Sequence, residues 1–129
     1  MARILVVEDD LAVAILLQEV LAEVGHEVRL ATDGRQAISI LQKEKVPDVV
    51  LTDLNLPYVR GADLVQWIRS DPKTQMTPII VATGAAPEEF PPRETYEVLI
   101  QKPYAPSDIL DAVTALLVAK RGPRLRRRL

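Results

Sequence analysis

Polar residues of a specific chemistry stand just beyond four short β-branched or aliphatic runs. Glu8, Asp9 and Asp10 follow Ile4–Val7, Asp53 follows Val49–Leu51, Thr83 follows Ile79–Ala82, and Lys102 follows Val98–Ile100. Within such a set a carboxylate is the competent nucleophile, able to take a phosphoryl group as an aspartyl phosphate. A hydroxyl and an amine supply the hydrogen-bond donors and positive charge that phosphoryl oxygens require during transfer. Carboxylates brought close together repel, and a hard divalent cation removes the conflict; Mg²⁺ fits an oxygen-only ligand set, with Mn²⁺ as the substitute. The chain has no cysteine and one histidine, so disulfides and thiolate metal sites are excluded.

These residues meet only if the fold brings their runs to a common edge. Short β-branched runs alternate with segments of helical period, the pattern of a parallel sheet covered on both faces by helices. The strands read Ile4–Val7, Glu27–Ala31, Val49–Leu51, Ile79–Ala82 and Val98–Ile100. In a parallel sheet all carboxyl ends lie on one side, and open α/β sheets bind their ligands there.

Val13, Leu16, Leu17, Val20, Leu21 and Val24 recur at helical spacing, and Gly25 then closes a first helix. A second helix begins near Gly34 and buries Ala37, Ile38 and Leu41. A third runs from Gly61 to Ser70 with Leu64, Val65 and Ile68 inward, and Asp71-Pro72 ends it. The final helix starts after Ala105-Pro106-Ser107, where Ser107 is placed to cap and Leu110, Val113, Leu116 and Leu117 form the apolar face. Between Gly84 and Glu97, Pro87, Pro91 and Pro92 leave room for a turn or two of helix at most.

A chain of 129 residues suits one domain with its own core. Its net charge is −2, but Lys120, Arg121, Arg124, Arg126, Arg127 and Arg128 place six positive charges in the last ten residues, leaving −8 on residues 1–119. An acidic body argues against nucleic acid as the partner of the domain. Residues 120–129 are expected to be a basic, disordered tail. No apolar stretch is long enough to span a membrane and no targeting segment opens the chain, so a cytoplasmic protein without a membrane partner is expected.

Taken in order, Ile4-Leu5-Val6-Val7-Glu8-Asp9-Asp10, Leu51-Thr52-Asp53-Leu54-Asn55-Leu56-Pro57 with Gly61, Val81-Ala82-Thr83-Gly84 and Gln101-Lys102-Pro103-Tyr104 resemble the receiver domains of two-component response regulators, over about residues 2–118. The resemblance implies a doubly wound, flavodoxin-like sheet of order 2-1-3-4-5, which sets Asp9 opposite Asp53, and a receiver domain spanning residues 1–119. It implies Asp53 as phospho-acceptor, Asp9 and Asp53 as metal ligands with the Asn55 backbone carbonyl, and Glu8 acting through water. Thr83 corresponds to the hydroxyl residue that bonds the phosphoryl oxygens, small Gly84 leaves access, and Lys102 corresponds to the lysine before a cis-proline. The implied partners are a sensor histidine kinase or phosphotransfer protein, a downstream protein, and a second copy in a phosphorylation-dependent dimer. Such a domain is a signalling switch and not an enzyme, catalysing only its own phosphorylation and dephosphorylation.

Two departures bear on the signal. Three positions before the lysine, where the family has an aromatic residue that swings inward on activation, this chain has Leu99. The proline-rich segment also shortens the family's fourth helix, part of its output surface. Both features support an alternative, a receiver-like binding module independent of phosphorylation. An aspartyl-phosphate phosphatase would need a second aspartate two positions after the nucleophile, where Asn55 stands. Asn55 and Ala85 flank the site and bear on access of attacking water. Asp10 reads as the cap of the first helix rather than a ligand, His26 as a surface or edge residue, and Trp67 as a packing residue. Leu11, Ala12 and Ile15 fall off the first helix's expected stripe, as a partner-docking patch would.

Overall fold

The computed structural model describes residues 2–128, and side chains as far as residue 119. Five strands, β1 (Arg3–Val7), β2 (Glu27–Ala31), β3 (Val49–Thr52), β4 (Ile79–Thr83) and β5 (Val98–Gln101), alternate with helices α1 (Leu11–Glu23), α2 (Gly34–Lys43), α3 (Gly61–Ser70) and α4 (Pro106–Arg128). The sheet is parallel throughout in the order β2-β1-β3-β4-β5. This is the doubly wound, flavodoxin-like arrangement that the resemblance to receiver domains implies. The switch in strand order falls between β1 and β3, so the residues after these strands share one crevice.

Both faces of the sheet are covered, which is why β3 and β4 are buried along their whole length and apolar up to the threonine that ends each. On one face Leu5, Val50, Ile79 and Val81 pack with Leu41 of α2 and Leu64, Val65 and Ile68 of α3, with Trp67 packed at the margin. On the other, Ile4, Val6, Leu51 and Ile80 pack with Leu17 and Leu21 of α1 and with Ile109 and Val113 of α4. Among the described residues no helix is long and apolar enough to cross a membrane.

Asp10 caps α1, its carboxylate accepting from the N–H groups of Ala12 and Val13, as expected. The buried stripe of that helix is rotated from the expected one: Ala14, Leu17 and Leu21 are buried, whereas Leu16 and Val24 are exposed together with Leu11 and Ile15. Nearly every residue of the first two turns is apolar, so spacing alone does not select a face, and Val24 already lies at the C-cap. In α2 the buried set includes Ile40, while Ile38 is partly buried against the core.

The capping role expected of Ser107 is not found. The helix α4 starts two residues earlier than expected, at Pro106, and Asp108 reaches back to accept from the N–H of Ala105 at 2.9 Å. His26 is half-buried before β2, on the side of the sheet away from the carboxyl ends, and its Nδ1 accepts from the N–H of Ala2. The tail expected to be disordered, residues 120–129, falls where side chains lie outside the described residues.

Between β4 and β5 the chain forms two single 3-10 turns, Pro87–Glu89 and Arg93–Thr95, in place of a helix. The prolines account for this, since each removes a donor and crowds the turn before it. The second turn is fastened by Arg69 of α3. Its guanidinium donates to the carbonyls of Thr95 (2.8 Å), Gln75 (3.0 Å) and Thr77 (2.6 Å) and pairs with Glu97 at 2.8 Å. Glu97 also accepts from the N–H of Ile79 at 2.6 Å, so one ion pair ties α3, the start of β4 and the approach to β5 together.

Candidate functional site

The carboxyl edge of the sheet brings together Glu8 after β1, Asp53 after β3, Thr83 ending β4 and Lys102 after β5. Asp53 is only 6 % exposed. One of its carboxylate oxygens, Oδ1, accepts from the N–H of Leu54 at 2.6 Å and more distantly from that of Asn55 at 3.3 Å. The other, Oδ2, accepts from Nζ of Lys102 at 2.6 Å. The same ammonium donates to Oε1 of Glu8 at 3.2 Å, while Oε2 of Glu8 accepts from the N–H of Asp10 at 3.1 Å.

Burial opposes the charge on Lys102, but its hydrogen bond to Asp53 and the two carboxylates around it outweigh that cost, holding its pKa well above the usual lysine value. For Glu8 the balance goes the other way. Its burial, against the help of Asp10 and Lys102, lifts the carboxyl above the ordinary range. Tyr104, half-buried beside Lys102, has a phenol raised for the same reason, desolvation.

Glu8, exposed Asp9 and Asp53 each offer a carboxylate oxygen, and these atoms lie within 4.8 Å of one another. Three carboxylates close together, two of them bonded to one ammonium, concentrate negative charge, and an all-oxygen donor set of this kind suits a hard divalent cation. The residues present therefore fit Mg²⁺. Asn55 follows Asp53 in an exposed position at the mouth of the same crevice.

Thr83 is fully buried, and its Oγ1 accepts from the N–H of Ala85 at 3.0 Å, which leaves the hydroxyl hydrogen free to donate. The peptide bond Lys102–Pro103 is cis. At Gly84 a Cβ would meet only the Cβ of Lys102, at 3.8 Å, so the small residue leaves this side open.

Gly61 sits where no side chain fits. A Cβ there would overlap the carbonyl oxygen of Asp53 and Cα of Leu54, so only glycine lets the start of α3 press against the backbone of Asp53. The loop that makes this contact turns tightly: Gly61 donates to the Leu54 carbonyl at 2.9 Å, and Tyr58 adopts φ 68° with Arg35 stacked 3.5 Å over its ring. Arg60, the residue before Gly61, pairs with Glu89 at 3.4 Å across the site's mouth. Neither member of that pair is signalled by the sequence, since they are brought together only by the path of the proline segment. The expected site residues Glu8, Asp9, Asp53, Thr83 and Lys102 do converge at this edge.

A parallel sheet of this order with carboxylates, a hydroxyl and an amine at its carboxyl ends defines a flavodoxin-like fold with a candidate site at the switch in strand order. Residues 4–114 match the model of the response regulator receiver domain, and the chain belongs to that family. It is 30 % identical over 120 residues to the protein PilH of Pseudomonas aeruginosa, covering 91 % of this chain and 98 % of that one. It is 32 % identical over 115 residues to the DNA-binding response regulator MtrA of Mycolicibacterium paratuberculosis, covering 89 % of this chain and 51 % of MtrA. The chain thus spans about half the length of such relatives. Among solved structures, the chemotaxis response regulator CheY4 of Vibrio cholerae superposes with a TM-score of 0.80 at 28 % identity, over 90 % of this chain and 98 % of that one.

Proposed function

We propose that this receiver domain is a phosphorylation switch in which Asp53 accepts a phosphoryl group from the phosphohistidine of a sensor kinase or phosphotransfer protein. The observation that carries this reading is the buried Asp53 carboxylate, held by backbone N–H groups on one oxygen and by Lys102 on the other. A carboxylate oxygen of Asp53 forms the new O–P bond, the P–N bond to the donor imidazole breaks, and the imidazole leaves with its electron pair and takes up a proton. Lys102 and the free hydroxyl hydrogen of Thr83 supply donors to the phosphoryl oxygens. Asp9, Asp53 and the Asn55 carbonyl, with Glu8 through water, would hold Mg²⁺ or Mn²⁺, which supplies charge neutralisation for the transferred group.

The domain's chemistry is confined to its own phosphorylation and dephosphorylation, so it acts as a switch and not as an enzyme with a separate substrate. It signals by protein–protein contact in the cytoplasm, with dimerisation as one form of output. Direct binding of nucleic acid by the acidic body, residues 1–119, is not part of this reading.

Incubation with phosphoramidate and Mg²⁺ tests it by intact mass. One added phosphoryl group is expected, lost in Asp53→Asn and on chelation. No adduct with any donor, or an adduct that persists in Asp53→Asn, overturns the reading. The binding-module alternative draws on Leu99, half-buried against the core where an aromatic switch residue would stand. It predicts that a captured partner binds Asp53→Asn and wild type equally.

A further inference from the structure

We infer that Glu89 is a positioning residue for Thr83, with Arg60 as its countercharge; the inference rests on the phosphoryl-transfer reading above and adds its conformational support. The 3-10 turn Pro87–Glu89 has no buried residue, so packing, which reaches the flanking Ala85 and Phe90, does not hold the turn itself. Polar contacts of Glu89 do that work. Its backbone N–H donates to the carbonyl of Ala86 at 2.9 Å, and its carboxylate returns to accept from the N–H of Ala86 at 3.4 Å. The other carboxylate oxygen accepts from Arg60 at 3.4 Å.

Ala86 is joined directly to Ala85, whose N–H is the one that fixes the Thr83 hydroxyl. Arg60 is joined directly to Gly61, which rests on the carbonyl of Asp53. The pair therefore closes a ring around a cleft lined by Leu54, Arg60, Asp63, Glu88 and Glu89, from the backbone of the acceptor to the hydroxyl that serves its phosphoryl oxygens. With Leu99 in place of an aromatic residue and two 3-10 turns between β4 and β5, this ring is a polar connection between the two sides of the cleft.

The geometry separates two contributions. Glu89→Ala removes both the acceptor for Ala86 and the partner of Arg60, whereas Glu89→Gln keeps an acceptor and loses only the charge. Arg60→Gln leaves the turn's own hydrogen bond intact.

The experiment measures the rate of phosphoramidate labelling at saturating Mg²⁺, together with amide exchange at Ala85 and Ala86. Loss of the long hydrogen bond to Ala86 together with the ion pair to Arg60 predicts labelling about fivefold slower in Glu89→Ala. Loss of an exposed ion pair alone predicts about twofold in Glu89→Gln and in Arg60→Gln, with Arg60→Lys restoring the wild-type rate. Faster exchange at Ala85 and Ala86 is expected in Glu89→Ala, with the thermal midpoint unchanged. Wild-type labelling with Glu89→Ala at the wild-type rate overturns this inference alone. A wild-type protein that takes no label overturns the phosphoryl-transfer reading and this inference with it.

Discussion

The two short turns between β4 and β5 replace a single helix, yet they are held by opposite means. The turn Arg93–Thr95 is fixed by Arg69, whose side chain is 16 % exposed and which makes four polar contacts at 2.6–3.0 Å, and it leads into buried Tyr96. The turn Pro87–Glu89 sits beside the site and is held by its own local hydrogen bonds and, across the cleft, by one ion pair between side chains 72 % and 42 % exposed. Shielded bonds from one guanidinium to several carbonyls are strong, whereas an exposed pair contributes little. Stability is thus concentrated at the end far from Asp53, and freedom to rearrange at the end near it.

Three substitutions would sharpen or break that contrast. Arg69→Ala is expected to destabilise the fold by about 2–4 kcal/mol in urea unfolding, because several carbonyls and Glu97 lose one shared donor. A loss under ~1 kcal/mol would mean that the far turn is held by its packing instead. Glu97→Gln keeps an acceptor for Ile79 but weakens the pair with Arg69, with an expected loss of about 1 kcal/mol and faster amide exchange in residues 93–97. Arg60→Gln should leave unfolding within ~0.5 kcal/mol of wild type, and a larger effect would show the near turn to be a structural element like its neighbour.

Most of the framework was legible because it rests on local rules. Strand positions followed from β-branched runs, α3 from the spacing of Leu64, Val65 and Ile68, and the break in the last crossover from Pro87, Pro91 and Pro92. The candidate site was legible for the same reason: a parallel sheet turns distant strand ends into neighbours, so Glu8, Asp53, Thr83 and Lys102 needed only their positions after strands.

What escaped depends on tertiary path. The buried face of α1 was misjudged at Leu16 because an almost wholly apolar helix gives no contrast between its sides. The cap at Ser107 lost to Asp108 because Pro106 suits the first helical position, which moves the start of α4. Arg69 and Arg60 read as surface charges on or before a helix. Their partners lie 26–29 residues away along a segment with no repeating pattern, apart from the carbonyls Arg69 reaches just beyond its own helix.

The contact between Gly61 and the backbone of Asp53 has a mechanical consequence. With α3 pressed against its carbonyl and no space for even a methyl group, the acceptor residue has a stiff support behind it. Under the proposed function, a phosphoryl group added to the Asp53 side chain would find no room for recoil in that direction. If the proposed phosphorylation occurs, the displacement is expected to pass forward to Thr83, Ala85 and the lightly held turn beyond them, so that the compliance of the domain would be directional.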